Sequence, residues 1–207
     1  MLAGKKILLG VTGGIAAYQM AEFIGLLRSQ LVDVRVIMTE AATRFITPLT
    51  LETISRHKVT VGMFTDADNS RVEHISLARF SDIAVVAPAT ANFIGKIASG
   101  IADDMLTTTV VACTQPVVIC PAMNEGMWQN PAVRDNVVKL KGYGYEFVEP
   151  EYGEMACGGE GWGRLASLRS ILHAVTQVAA RLDGDTAAPD LGANGVKPQN
   201  AQSHLTP

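Results

Sequence analysis

Lys6-Ile7-Leu8-Leu9-Gly10-Val11-Thr12-Gly13-Gly14-Ile15-Ala16 joins an apolar run to a glycine pair and then to a helical pattern, and its reading decides the fold. A run without polar alternation is what a strand covered on both faces requires. Thr12-Gly13-Gly14 reads as a tight turn, since glycine enters backbone conformations that other residues avoid. Over residues 15–29, Ala16, Met20, Phe23, Ile24 and Leu27 fall on one helical face. Strand, turn and helix in that order open a βαβ unit.

The alternation continues outward. Residues 34–38 form the next strand, and residues 39–55 hold helical segments interrupted where Pro48 removes a backbone donor. Residues 58–68 read either way. Residues 83–87 and 117–120 are further unbroken apolar runs, and residues 145–148 complete five strands. Helices are expected over residues 92–98, 102–113, 130–141 and 168–182. The predicted fold is α/β, one domain over residues 1–182 built on a doubly wound parallel sheet. Residues 183–207 turn to Gly, Ala, Asp, Asn, Gln and Pro with few large apolar side chains, so a disordered polar tail is expected there.

A chain of 207 residues suffices for one such domain. Its formal charge of -3 and 17 scattered basic residues give no footprint for a nucleic-acid backbone. The apolar runs fall short of the ~20 residues a membrane helix needs, and the amino terminus enters a strand pattern with no cleavage-site signature, so the expectation is a soluble, cytoplasmic protein without membrane or nucleic-acid partners. Cys113 and Cys120 lie among apolar residues and read as core, whereas Cys157 lies among glycines and charges. His57, His74, His173 and His204 stand far apart, no Cys/His group has zinc spacing, and no metal is expected.

In open α/β sheets ligands sit outside the carboxyl ends of the strands, and every segment with unusual chemistry here follows a strand. Thr12, Gly13, Gly14, Ile15 and Ala16 give glycines for close backbone approach and the amides of a new helix for an anion. This is not the spaced G-x-G-x-x-G fingerprint, and a simple turn is the alternative. Thr39 follows the second strand, and Thr90, Ala91 and Asn92 the third. Helix capping explains each loop singly, while their joint placement and neutrality favour a mononucleotide such as flavin mononucleotide (FMN) over a triphosphate, whose Lys and Mg²⁺ apparatus is missing.

Pro121-Ala122-Met123-Asn124-Glu125-Gly126-Met127-Trp128 follows the fourth strand. Asn124 offers two amide donors and a carbonyl acceptor, while Met123, Met127 and Trp128 either wall off water or cap the core. His74, in Arg71-Val72-Glu73-His74-Ile75-Ser76-Leu77-Ala78, precedes an apolar helical pattern and carries an imidazole able to exchange protons near neutrality; a surface or capping histidine is the alternative. In Glu154-Met155-Ala156-Cys157-Gly158-Gly159-Glu160-Gly161-Trp162-Gly163-Arg164 glycine is too frequent for helix or strand. This stretch reads as a mobile flap in which Arg164 holds an anionic group and Cys157 delivers a proton, or as an ordinary flexible loop.

Together these segments resemble the flavin-dependent cysteine decarboxylases, in particular the phosphopantothenoylcysteine decarboxylases of coenzyme A biosynthesis. The resemblance covers about residues 4–182. PAMNEGMW satisfies the family pattern P-x-M-N-x-x-M-W through Pro121, Met123, Asn124, Met127 and Trp128, and His74-Ile75, the Ala156-Cys157-Gly158 flap, APATAN at residues 87–92 and GIADDMLTTT at residues 100–109 follow in family order.

The resemblance implies a flavodoxin/Rossmann-like fold, bound FMN, and a homotrimer or an assembly of trimers. Its implied substrate is a small molecule, 4'-phospho-N-pantothenoylcysteine, whose thiol is oxidised to a thioaldehyde so that loss of CO₂ leaves an ene-thiolate. Re-reduction then gives 4'-phosphopantetheine with no net redox change. By position His74 is implied as the base of the oxidation step, Asn124 as the holder of the substrate carboxylate and Cys157 as the late proton donor. Met123, Met127, Ala156 and Arg164 would line the substrate. Thr12 to Ala16, Thr39 and Thr90 to Asn92 would bind FMN, with Phe45 a further candidate against the ring.

The chain departs from the family flap A-C-G-D-x-G-P-G-R-M at Gly159, Trp162 and Leu165. The common bacterial protein continues into a synthetase domain; this chain is expected to leave that reaction to a separate phosphopantothenate-cysteine ligase. Competing readings are a decarboxylase of peptides ending in cysteine and a regulatory flavoprotein without turnover. A flavin prenyltransferase is disfavoured by the Asn124 motif and the Cys157 flap. Retention of His74, Asn124 and Cys157 together disfavours the regulatory reading.

Overall fold

Five parallel strands run through the computed structural model, which describes residues 2–63, 73–156 and 158–185. They are β1 (Lys6–Val11), β2 (Asp33–Met38), β3 (Ile83–Ala89), β4 (Val117–Pro121) and β5 (Glu146–Phe147), in the spatial order β2-β1-β3-β4-β5. This is the flavodoxin-like order of a doubly wound sheet, as the alternation predicts. The chain leaves β1 for β2 on one side and returns to β3 on the other, so the crevice opens at the carboxyl ends of β1 and β3.

The unbroken apolar strands feed two cores. Ile7, Leu9, Val11, Val85 and Ala87 face α1 (Met20–Ser29) and the carboxyl-terminal helix, while Leu8, Ala84, Val86 and Ile119 face the other layer of helices. Alternate residues of one strand therefore serve opposite cores, which explains why no polar position interrupts them.

The helices refine the expected boundaries for local reasons. Residues 15–29 divide into a 3₁₀ turn at Ile15–Gln19 and then α1; the tighter turn buries Ala16 and Ala17 and leaves Ile15 and Tyr18 exposed. Pro48 does not interrupt a helix but begins α2 (Pro48–Ser55), where its missing donor would be unpaired anyway, and Thr47 caps it by accepting from the Thr50 amide. After α3 (Glu73–Phe80) and α4 (Ala91–Ala98), α5 (Met105–Val111) starts later than residue 102 because Asp104 and Thr107 form a reciprocal capping box. A single-turn α6 (Glu125–Trp128) and α7 (Pro131–Gly142) follow β4. The last helix, α8 (Leu168–Asp185), runs past the expected boundary at residue 182, and Lys5 Nζ meets Asp183 Oδ1 at 2.6 Å there. The expected tail from residue 186 onward lies outside the described residues. Among the described residues no helix is long and apolar enough to cross a membrane.

One expectation is overturned. The glycine-rich segment is not strand-free: β6 (Glu151–Glu154) and β7 (Glu160–Arg164) form an antiparallel hairpin. Its glycines fit it against a neighbouring loop, as described below.

Candidate functional site

Three loops at the carboxyl ends of β1, β2 and β3 interlock. The buried Thr12 hydroxyl donates to Pro88 O (2.7 Å) and accepts from the Thr90 amide (3.0 Å), tying the first loop to the third. Gly13 presses on the second loop: a Cβ there would stand 2.5 Å from Ala41 Cβ and 3.0 Å from the Ala41 carbonyl carbon. Gly14 is extended, and a Cβ on it would lie 3.8 Å from Thr90 Cγ2. Thr39 accepts from the Ala42 amide (3.2 Å) and Thr90 from the Phe93 amide (3.3 Å), capping the turns that follow. Capping and site-building are thus the same bonds, because a hydroxyl that accepts from an amide keeps its own proton to donate.

Around this rim Ile15 is 55% and Phe45 44% exposed, while Ala16 is buried, Ala91 half-buried and Asn92 exposed. Ile15 and Phe45 supply apolar area of the kind a flat ring covers. The structure therefore brings together the first three loops picked out in the sequence.

A fourth loop joins them. The Ala122 amide donates to Ala89 O (3.1 Å), which sets the turn after β4 beside the Thr90 loop. Asn124 is exposed and caps α6, its Oδ1 accepting from the Gly126 amide (2.9 Å). That bond orients the side chain, with its nitrogen on the side opposite the helix start.

The hairpin docks on this loop. The Met123 amide donates to Gly163 O (2.9 Å), and the Trp162 amide donates to Glu125 Oε1 (3.2 Å). Gly163 has φ +124°, and a Cβ there would fall 2.1 Å from Met123 O; one on Gly161 would fall 2.8 Å from Glu125 Oε2. These glycines therefore mark contact between two backbones rather than looseness. Sequence reading misses Glu125 as well, since its partner is a backbone amide distant in sequence.

Other candidates are placed differently. Trp128 is 6% exposed within the second core, with the Arg134 guanidinium 4.4 Å from its ring centroid, so it caps the core. Met123 packs half-buried against the same core, and Met127 is exposed. Arg164 is engaged within the hairpin: its guanidinium donates to Glu151 Oε2 (3.2 Å), and Glu151 also accepts from the Ser167 amide (2.9 Å). The Ser167 amide, then Arg164, hold the Glu151 carboxyl below its usual range. Ala156 is exposed at the hairpin tip, and Cys157 lies outside the described residues.

His74 is half-buried in the first turn of α3. Phe80, at the other end of that helix, lies under Lys6 at the amino end of β1 (5.6 Å from Nζ to the ring centroid), and Asp82 accepts from the Lys6 amide (2.8 Å). Six residues of helix span roughly 9 Å, which carries His74 from the amino edge of the sheet toward the carboxyl edge. Arg71 and Val72, just before it, lie outside the described residues. Cys120 is fully buried and Cys113 half-buried, as read from the sequence, and burial pushes the Cys113 thiol up to about 11.

Residues 1–180 match the family model described as Flavoprotein. The chain belongs to the Flavoprotein family. It is similar to the coenzyme A biosynthesis bifunctional protein CoaBC of Bacillus subtilis (strain 168), with 46% identity over 189 residues, 89% of this chain and 47% of that protein. The chain thus spans about half the length of that curated relative. Among solved structures of similar fold, the FMN-dependent cysteine decarboxylase SpaF is 36% identical with a TM-score of 0.75, covering 86% of this chain and 99% of that one. A PPC decarboxylase mutant complexed with pantothenoylaminoethenethiol is 29% identical with a TM-score of 0.77, covering 85% and 98%.

Proposed function

We propose that this chain is an FMN-dependent decarboxylase that converts 4'-phospho-N-pantothenoylcysteine to 4'-phosphopantetheine in coenzyme A biosynthesis. The observation that carries the reading is the meeting of two unlike surfaces at one sheet edge: a neutral three-loop rim, and an asparagine with a fixed amide orientation under a docked hairpin. Similarity to CoaBC and to the PPC decarboxylase supports the same conclusion, and similarity to SpaF supports FMN-dependent decarboxylation of a cysteine.

The rim fits FMN. The contact of Gly13 with Ala41 leaves a low wall that a larger residue would break, Thr39 and Thr90 can turn hydroxyl protons outward, and Ile15 and Phe45 offer apolar surface. When bound, the flavin supplies a reversible two-electron acceptor. Asn124 would hold the substrate carboxylate through its amide donors until CO₂ departs. His74 would accept a proton from the substrate's cysteine at the oxidation step. Cys157, assigned by sequence position, would return a proton to the product carbon. The hairpin would cover the substrate, with Met123, Met127, Ala156 and Arg164 around it; Arg164 would have to exchange Glu151 for an anionic group. A homotrimer, or an assembly of trimers, belongs to the same proposal, as does a separate ligase to supply the substrate.

One observation favours a peptide ending in cysteine as the second reading. Trp162 and Tyr152 are exposed and meet edge to face at 5.8 Å, and Trp162 borders a cleft of about 480 Å³ lined also by Trp128, Gln129, Arg134, Glu149 and Pro150. Such a surface could receive a longer chain. Purified protein incubated with phosphopantothenoylcysteine, or with a cysteine-terminal peptide, should release CO₂ from the former, and His74→Asn should abolish that release. Release from the peptide alone would establish the second reading; turnover of neither would leave the regulatory one.

A further inference from the structure

Glu125 is one of the two unspecified positions after Asn124, yet its side chain touches the hairpin directly. Its Oε1 accepts from the Trp162 amide (3.2 Å) and from Gln129 Nε2 (3.1 Å), while its Oε2 occupies the space in front of Gly161. It is also the first residue of the helix that Asn124 caps. A shift of Glu125 would therefore move Asn124 and the hairpin together. The second tether, from the Met123 amide to Gly163 O, involves backbone alone and cannot be tuned by a side chain. We propose that Glu125 is a positioning residue, a clasp that holds the paired strands β6 and β7 on the Asn124 loop and so couples covering the substrate to orienting Asn124.

The proposal rests on the decarboxylase reading for its effect on turnover, and on geometry alone for its effect on the hairpin. A hydrogen bond from an amide to a carboxylate is stronger than one between neutral groups. Removing it from Glu125→Ala should speed hydrogen exchange at the Trp162 amide and its β7 neighbours about tenfold. In the FMN-loaded protein KM should rise about tenfold and kcat fall less than about threefold. FMN affinity should hold, because the rim lies on other loops.

Three companion variants separate a clasp from general destabilisation. Glu125→Gln keeps an acceptor oxygen in reach of the Trp162 amide and should stay within about threefold of wild type in exchange and KM. Gln129→Ala removes only the bond within the loop and its helix, and should leave exchange at the Trp162 amide unchanged. Glu125→Ser, too short to reach Trp162, repeats the test independently should alanine not fold. Unchanged exchange at Trp162 in Glu125→Ala or Glu125→Ser would overturn the clasp, as would a Gln129→Ala variant that reproduced their effects. A wild-type chain without turnover would remove the decarboxylase reading, and the exchange comparison, made on the same chain without substrate, would still decide whether Glu125 holds the hairpin.

Discussion

The rim after β1, β2 and β3 and the contact between the Asn124 loop and the hairpin stand at the same sheet edge but differ in which contacts they lean on most. In the rim, short polar side chains reach backbone groups: Thr39 and Thr90 each bond an amide three residues on, and the Thr12 hydroxyl spans between loops. At the hairpin, backbone meets backbone, and side chains are excluded where Gly163 faces Met123 O. A region fixed by hydroxyls loses one bond when altered and can settle locally. One fixed by the absence of side chains has no room for any addition. The hairpin should accordingly be the more sensitive of the two to small substitutions.

The largest expected effect is that of Gly163→Ala. The new methyl would meet Met123 O at 2.1 Å, and φ +124° is already unfavourable for any residue with a Cβ. Strain of about 3 kcal/mol, relieved only by undocking, should lower kcat/KM about 100-fold while FMN titrates normally. CO₂ release and flavin fluorescence, measured on one preparation, check both halves. Loss of flavin along with activity would break the comparison, because the two regions would then not be independent.

Gly13→Ala tests the rim where it most resembles the hairpin. Its Cβ would lie 2.5 Å from Ala41 Cβ, so the first two loops must part. FMN affinity should fall about tenfold and stability by about 1–3 kcal/mol, read from flavin titration and urea unfolding. Thr12→Val is milder. It leaves the Thr90 amide without its partner, while Pro88 O keeps the backbone amide of residue 12 (3.3 Å), at a cost of about 1–3 kcal/mol, whereas Thr43→Val, which removes an exposed bond to Glu40 O, should cost under about 0.5 kcal/mol by the same unfolding measurement.

The same contrast explains how much the sequence reveals. Strands at residues 83–87 and 117–120 are legible because burial on both faces leaves a continuous apolar record, and Thr12, Thr39 and Thr90 because each stands just past such a record. The hairpin is not legible, since glycine in sequence signals freedom whereas Gly163 is there for a fit that depends on where β4 ends. Trp128 stays open between two readings in the sequence for a related reason: α6 is a single turn, too short for periodicity to show that the indole faces inward beneath Arg134. Arg164 reads as an anion holder until the neighbouring strand brings Glu151 beside it, a pairing that needs the hairpin first.

The smallest expected effect concerns that pairing and is seen only in acid. Because the Glu151 carboxyl is held below its usual range in the folded chain, its contribution is present in full above the unfolded value and is lost as pH falls through the folded one. The hairpin should therefore loosen from the start of α8 only below the ordinary glutamate range, and Glu151→Gln should remove this pH dependence. Arg164 is about half exposed, so solvent screens its share. The Ser167 amide is the stronger influence, and Arg164→Ala should leave most of the lowering in place when the Glu151 carboxyl carbon is titrated by NMR. If Arg164→Ala instead restored the ordinary value, the ion pair rather than the backbone would anchor this end of the hairpin, and the contrast with the rim would narrow to the Met123–Gly163 contact.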